Sequence, residues 1–233
     1  MMDYTILGGS MQAVSIHLNE GEKIYADSGK LVSKSEKIKM EPRLVGGLVS
    51  AIERKVTGAT AMLTVFTAET GRCSVSLSGI MPGKIRAITL GEGEVFVSED
   101  YAFLAATDSV KFTMETIGLG AAFFGGAGLI LQKFVGPGTV FLHVVGDIVE
   151  YDLDGTIPLE VDPGHIAGFS GGLSYKITFV DNIRTAMFGG VGLFLAKFNG
   201  KGKVILHSVS RRKLSSDIYI QGYEQTKGDS SGK

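Results

Sequence analysis

The side chains of this chain that could do chemistry are four histidines, one cysteine and a spaced run of acids. Imidazole is the group best suited to proton transfer and metal ligation near neutral pH. A paired-histidine metal site needs a close His-x-His with a glutamate nearby, and His17, His143, His165 and His207 offer no such pair. His143 and His207 occupy equivalent places in a duplicated segment, each on an apolar strand. They are expected to be structural, yet an internal pseudo-symmetry could bring them together, so they form the candidate polar site. Asp162-Pro163-Gly164-His165 reads as a strand ending in a turn. Glu150, Asp152 and Asp154 alternate ahead of Gly155. Such acids could hold a cation, but a solvated strand face is the expectation. Cys73 stands in the alternating stretch Cys73-Ser74-Val75-Ser76-Leu77-Ser78, as a core-facing strand residue would. A single cysteine excludes an intramolecular disulfide and any multi-cysteine metal site.

The glycine-rich stretches invite a nucleotide reading and fail it. After Gly118 and Gly120 the fingerprint's third glycine position holds Phe123, and a strand follows where a helix is needed. Neither a phosphate-loop lysine motif nor a Gly-x-Ser-x-Gly elbow occurs, and Arg211-Arg212-Lys213 is too short a cluster to argue for nucleic acid. No residue is assigned a catalytic, metal-binding or cofactor-binding role. No cofactor is expected, and the chain reads as a non-enzyme.

The elements that must position these residues are strands. Residues 124–145 (FGGAGLILQKFVGPGTVFLHVV) and 188–209 (FGGVGLFLAKFNGKGKVILHSV) are identical at 14 of 22 positions at a constant offset of 64. A fainter copy lies upstream: Gly21 to Tyr25 resembles Gly93 to Val97, and Lys55-Val56-Thr57-Gly58 resembles Lys133-Phe134-Val135-Gly136. The chain therefore reads as one β domain over residues 1–223, made of three tandem units at about 14–80, 81–150 and 157–213, with a disordered polar tail at 224–233. Residues 62–67, 138–145, 173–180 and 203–210 alternate or are rich in β-branched and aromatic types, broken by Gly, Asn or Asp. Only residues 45–55 have helical spacing. The expected fold is all-β, an antiparallel sandwich or barrel in which the glycines mark repeated turns.

Around the glycines stand Phe123, Phe124, Leu129 and Phe134, matched by Met187, Phe188, Leu193 and Phe198. They belong either to the core or to a protruding hairpin that contacts a subunit or membrane, and they form the candidate interface. The composition bounds the partners. With 23 Lys and Arg against 24 Asp and Glu, net charge −1, the chain is no strongly basic nucleic-acid binder. The apolar run at 121–131 is too short for the ~20 residues a membrane helix needs. The opening MMDYTILGGSMQ does not read as a signal peptide, so a cytoplasmic location is the default expectation.

Gly126, Gly128, Leu129, Gly136, Gly138, Val140 and Leu142 recur as Gly190, Gly192, Leu193, Gly200, Gly202, Val204 and Leu206. With residues 159–169 (LEVDPGHIAGF) and 77–85 (LSGIMPGKI), this pattern resembles the altered inheritance of mitochondria protein twenty-four family over about residues 3–215. The resemblance implies a fold like that of the tryptophan RNA-binding attenuation protein, of double-stranded β-helix type. It also implies a symmetric homo-oligomer, most readily a trimer, and a link to membrane organisation. It supplies no catalytic residues, and the lack of a transit peptide implies a prokaryotic member. Fold alone does not carry RNA binding across. The expectation is a homo-oligomeric scaffold or adaptor acting at a membrane surface, the alternative being a small-ligand-binding β-barrel module.

Overall fold

A computed structural model describes residues 2–44, 62–117, 129–179, 194–210 and 213–214. The helix expected at 45–55, the glycine stretch 118–128 and the tail 224–233 lie outside these residues. The regular structure of the described residues is strand, apart from two short 3-10 turns and a helical pair at residues 213–214. Its elements are β1 (Asp3–Leu7), β2 (Ala13–Leu18), β3 (Lys23–Asp27), β4 (Leu31–Lys34), β5 (Ile38–Leu44), β6 (Met62–Ala68) and β7 (Cys73–Ser78). There follow β8 (Gly83–Leu90), β9 (Val95–Glu99), β10 (Phe103–Thr107), β11 (Lys111–Ile117), β12 (Leu129–Val135) and β13 (Gly138–Val145). The last are β14 (Ile148–Asp154), β15 (Leu159–Val161), β16 (Ile166–Ser170), β17 (Ser174–Phe179), β18 (Phe194–Asn199) and β19 (Lys201–His207). In β2 and β7 every second side chain is buried, the period that a pleated strand imposes.

The strands form four antiparallel sheets in the orders β1-β2-β7-β4, β5-β6-β3-β10-β13-β8, β11-β12-β9-β16-β19-β14 and β15-β18-β17. None closes on itself, so of the two expected architectures the chain adopts the sandwich and not the barrel. One pairing scheme occurs three times. The trios β2-β7-β4, β8-β13-β10 and β14-β19-β16 correspond, as do β5-β6-β3, β11-β12-β9 and β17-β18-β15. A bulge interrupts the same pairing in each, between Leu31 and Ser33, Phe103 and Ala105, and Ile166 and Gly168. The two six-stranded sheets arise because β3 pairs with β10 and β9 with β16.

Three apolar cores lie between successive sheets. The first joins Val14, Ile16 and Leu77 of the N-terminal sheet to Ile24, Phe66 and Phe141. The second joins Tyr25, Phe103 and Leu142 to Phe96, Phe134 and Ile205, and the third joins Phe169 and Leu206 to Val161 and Phe198. Strands β10 and β13 are therefore buried on both faces. Phe141 enters the first core while Val140, Leu142 and Val144 enter the second. That is why they read as continuous apolar runs and not as alternating ones. Burying each such side chain contributes about 1.5–3 kcal/mol. Tyr25 completes the second core, its hydroxyl donating to the Val110 carbonyl at 3.0 Å beneath the Arg43 guanidinium, 5.2 Å above the ring.

Two glycines are required by geometry. Gly138 opens β13 and Gly202 is the second residue of β19, at φ of 145° and 154°. A Cβ at Gly138 would overlap the Thr107 hydroxyl, and one at Gly202 would press on Ser170.

Candidate functional site

His143 sits in β13, whose apolar run carries it into the interior at 4% exposure. Its ring lies flush on Gly79, where any Cβ would overlap it. Gly79 opens the link 79–82 between β7 and β8, and that link wraps the imidazole. Burial is the main force lowering the affinity of His143 for a proton below the ordinary value of 6.5, and the Lys30 charge adds to it; a hydrogen bond with the Met81 backbone opposes both. His207 ends β19 at 6% exposure, and its Nδ1 accepts the Val145 N–H at 2.9 Å. That bond fixes the two strand ends together and assigns the ring proton of neutral His207 to Nε2.

The two histidines line one pocket of about 240 Å³. Its other walls come from distant parts of the chain. Lys30 is supplied by the turn between β3 and β4, Ile80 and Met81 by the β7–β8 link, Glu99 by the end of β9, and Tyr101 by the short turn Asp100–Ala102. Lys30 is 6% exposed and pairs with Asp27 at 3.5 Å. Burying an ammonium without a partner is prohibitive, so this contact is what allows Lys30 to sit here. Glu99 caps the turn, its carboxylate accepting the Tyr101 N–H at 3.0 Å. The pocket thus offers two imidazoles, an ammonium, a carboxylate and a phenol against an apolar floor. Its volume suits a small polar molecule, being below the ~300–1,000 Å³ of drug-sized sites.

Lys30, Glu99 and Tyr101 carry no local motif; the pairing of β10 with β13 brings the turn holding Glu99 and Tyr101 beside His143, and the Ser78 N–H donating to the Lys30 carbonyl at 3.0 Å holds Lys30 against the β7–β8 link. The Gly79-Ile80-Met81-Pro82-Gly83 link is their one legible companion, since a close-packed ring demands a glycine.

The remaining singled-out residues are accounted for locally. The His17 Nδ1 lies 2.9 Å from the Ser74 hydroxyl, and the His165 Nδ1 donates to the His207 carbonyl at 2.8 Å. Cys73 is buried, its thiol directed at the Thr70 carbonyl. The alternating acids are engaged by protein groups. Glu150 accepts from Arg86 at 3.1 and 3.2 Å and from Lys203 at 2.9 Å, Asp152 accepts from Lys203 at 2.6 Å, and Asp154 caps Thr156 at 2.8 Å. Burial would raise the Glu150 carboxyl, but the hydrogen bonds from Lys203 and Arg86 and their charges outweigh it and hold it below the usual range.

Of the candidate interface residues, Phe134 and Phe198 are both fully buried, in the second and third cores, and so serve packing within the chain. Leu129 opens β12. Phe123, Phe124, Met187, Phe188 and Leu193 lie outside the described residues. Among the described residues no helix is long and apolar enough to cross a membrane.

The chain is 28% identical over 212 residues to an uncharacterised protein of Streptococcus pyogenes serotype M6, covering 88% of this chain and 84% of that one. The crystal structure of another Streptococcus pyogenes protein superposes with a TM-score of 0.78 at 26% identity, covering 95% of this chain and all of that one. The profile of the mitochondrial biogenesis AIM24 family matches residues 4–209, nearly the whole set of sheets described above, and the chain belongs to that family.

Proposed function

We propose that this protein is a homo-oligomeric scaffold or adaptor without catalytic activity, trimeric and cytoplasmic, that works at a membrane surface. One observation carries the reading. Among the described residues the two inner sheets have six strands, while the sheets at the two ends have four and three. The C-terminal sheet matches one half of an inner sheet and the N-terminal sheet matches the other half with β1 added, and a second copy is what would complete them. Apolar side chains stand exposed near the N-terminal half-sheet, among them Val32 at 60% and Met11 at 68%. The threefold pairing scheme supports the reading of tandem units. Light scattering across micromolar concentrations tests the oligomer, and a strictly monomeric mass defeats it. Co-sedimentation with vesicles of neutral and of anionic lipid tests the membrane role, and no retention on either defeats that part.

A second reading has its own observation, the convergence of His143 and His207 on one pocket. In it the sandwich binds a small polar ligand. Titrating the histidine ring resonances with inorganic phosphate and with acetate is the test, and unmoved His143 signals count against it.

A further inference from the structure

The repeated pairing scheme leaves two edges of opposite kind. Strand β3 pairs with β10, and β9 pairs with β16. By the same scheme β15 has a place for a partner equivalent to β10 or β16, and β4 has a place for one equivalent to β3 or β9. Among the described residues β15 pairs only with β18, and β4 only with β7. We propose that copies of this chain join head to tail, β15 of one beside β4 of the next. The joint completes a seven-stranded sheet β17-β18-β15-β4-β7-β2-β1. This rests on the homo-oligomer reading and names its interface.

Exposure supports the assignment. The bulge position is Val32 in β4, Leu104 in β10 and Ala167 in β16. Leu104 and Ala167 are fully buried, each packed in the core of the preceding unit, whereas Val32 is 60% exposed. The same residue before the bulge is Leu31 at 38%, against Phe103 at 1% and Ile166 at 2%. An apolar position that is covered wherever a preceding unit exists is uncovered only where the chain begins. On a neighbouring copy it would meet the third core, beside Val161 and Phe198.

Register supports it as well. Within the chain, the first residue after the bulge pairs with the residue just before the acid that ends the partner strand: Ala105 with Ala26, ahead of Asp27, and Gly168 with Ser98, ahead of Glu99. Applied to the free edges, this rule sets Ser33 opposite Val161, ahead of Asp162. The next pair is then Lys34 opposite Glu160, with opposite charges. Directly opposed ion pairs stabilise an antiparallel edge, and like charges there disfavour it. The surfaces differ on the two partners, so the contact is heterologous and makes rings or open arrays. It is strand addition of the kind by which extended segments dock on sheet edges.

The test is cross-linking under mild oxidation. Lys34→Cys and Glu160→Cys are made as separate proteins, with buried Cys73 common to both. The expected result is a disulfide-linked dimer in the mixture and none in either protein alone. A dimer formed equally by Lys34→Cys alone overturns the head-to-tail arrangement. Absence of cross-linking, with the unsubstituted protein still oligomeric, overturns this interface and leaves the oligomer reading standing. A monomeric unsubstituted protein overturns both. In parallel, Lys34→Glu is expected to bring the mass down to one chain of 24.7 kDa that keeps its strand signature in circular dichroism, while Lys34→Arg keeps the assembly. An unchanged mass for Lys34→Glu counts against the pairing.

Discussion

His143 makes the stability of this fold sensitive to pH. Its folded form holds a proton less readily than the free side chain, because burial and the nearby Lys30 disfavour the cation. The unfolded chain therefore binds more protons below about 6.5, and stability must fall as pH drops through that value toward the lower folded one. Urea unfolding at pH 7 and pH 5 is expected to show the loss, and His143→Gln to reduce it. An identical pH slope in the two proteins would remove His143 as the cause. The same ring explains Gly79. Gly79→Ala places a methyl in the imidazole and is expected to destabilise by about 1–3 kcal/mol, the usual cost of overpacking. A Gly79→Ala protein with an unshifted denaturation midpoint would show that the β7–β8 link gives way instead.

At the scale of elements, the aromatic at the same place in β12 and β18 holds adjoining cores. Phe134 stacks on Phe103 at 5.0 Å, and Phe198 meets Phe169 at 5.0 Å. Phe134→Ala and Phe198→Ala are each expected to cost ~3–5 kcal/mol in denaturant unfolding, since a cavity forms as well as transfer energy being lost. If these phenylalanines instead acted at a partner surface, the loss would appear in oligomer mass with little change in midpoint. The ladder between β14 and β19 behaves differently. Glu150 joins Arg86 of β8 to Lys203, but Lys203 is half exposed. Lys203→Met is expected to change stability by less than about 1 kcal/mol, and that small effect should shrink further in high salt.

At the scale of the whole molecule, order should decline toward both ends of the stack. Strand β13 is buried on both faces, while all four residues of β4 are exposed. Amide exchange is therefore expected to be slowest in β13 and fastest in β4 for the Lys34→Glu chain, with β4 becoming protected in the assembled protein. Equal β4 exchange in the two would argue that no sheet edge is covered on assembly. The same architecture decides what a sequence reading can reach. Strand type was legible in β7, where alternation survives in the Cys73–Ser78 stretch. It was legible as an apolar run in β13, where both faces are covered. The glycines at 138 and 202 were legible as backbone requirements, since φ near 150° and a close neighbour leave room for no other residue.

By itself, then, the sequence determined that the chain is all-β, which family it belongs to, and that its glycines serve turns and close packing, because these rest on local backbone and side-chain periodicity. Only the tertiary structure decided between sandwich and barrel, sent Phe134 and Phe198 into the core, and gathered Lys30, Glu99 and Tyr101 around two histidines. Those outcomes depend on which strand edges pair across many tens of residues, as β3 does with β10. Edge pairing is made by backbone hydrogen bonds that every residue type can supply, so it leaves little trace in the order of side chains.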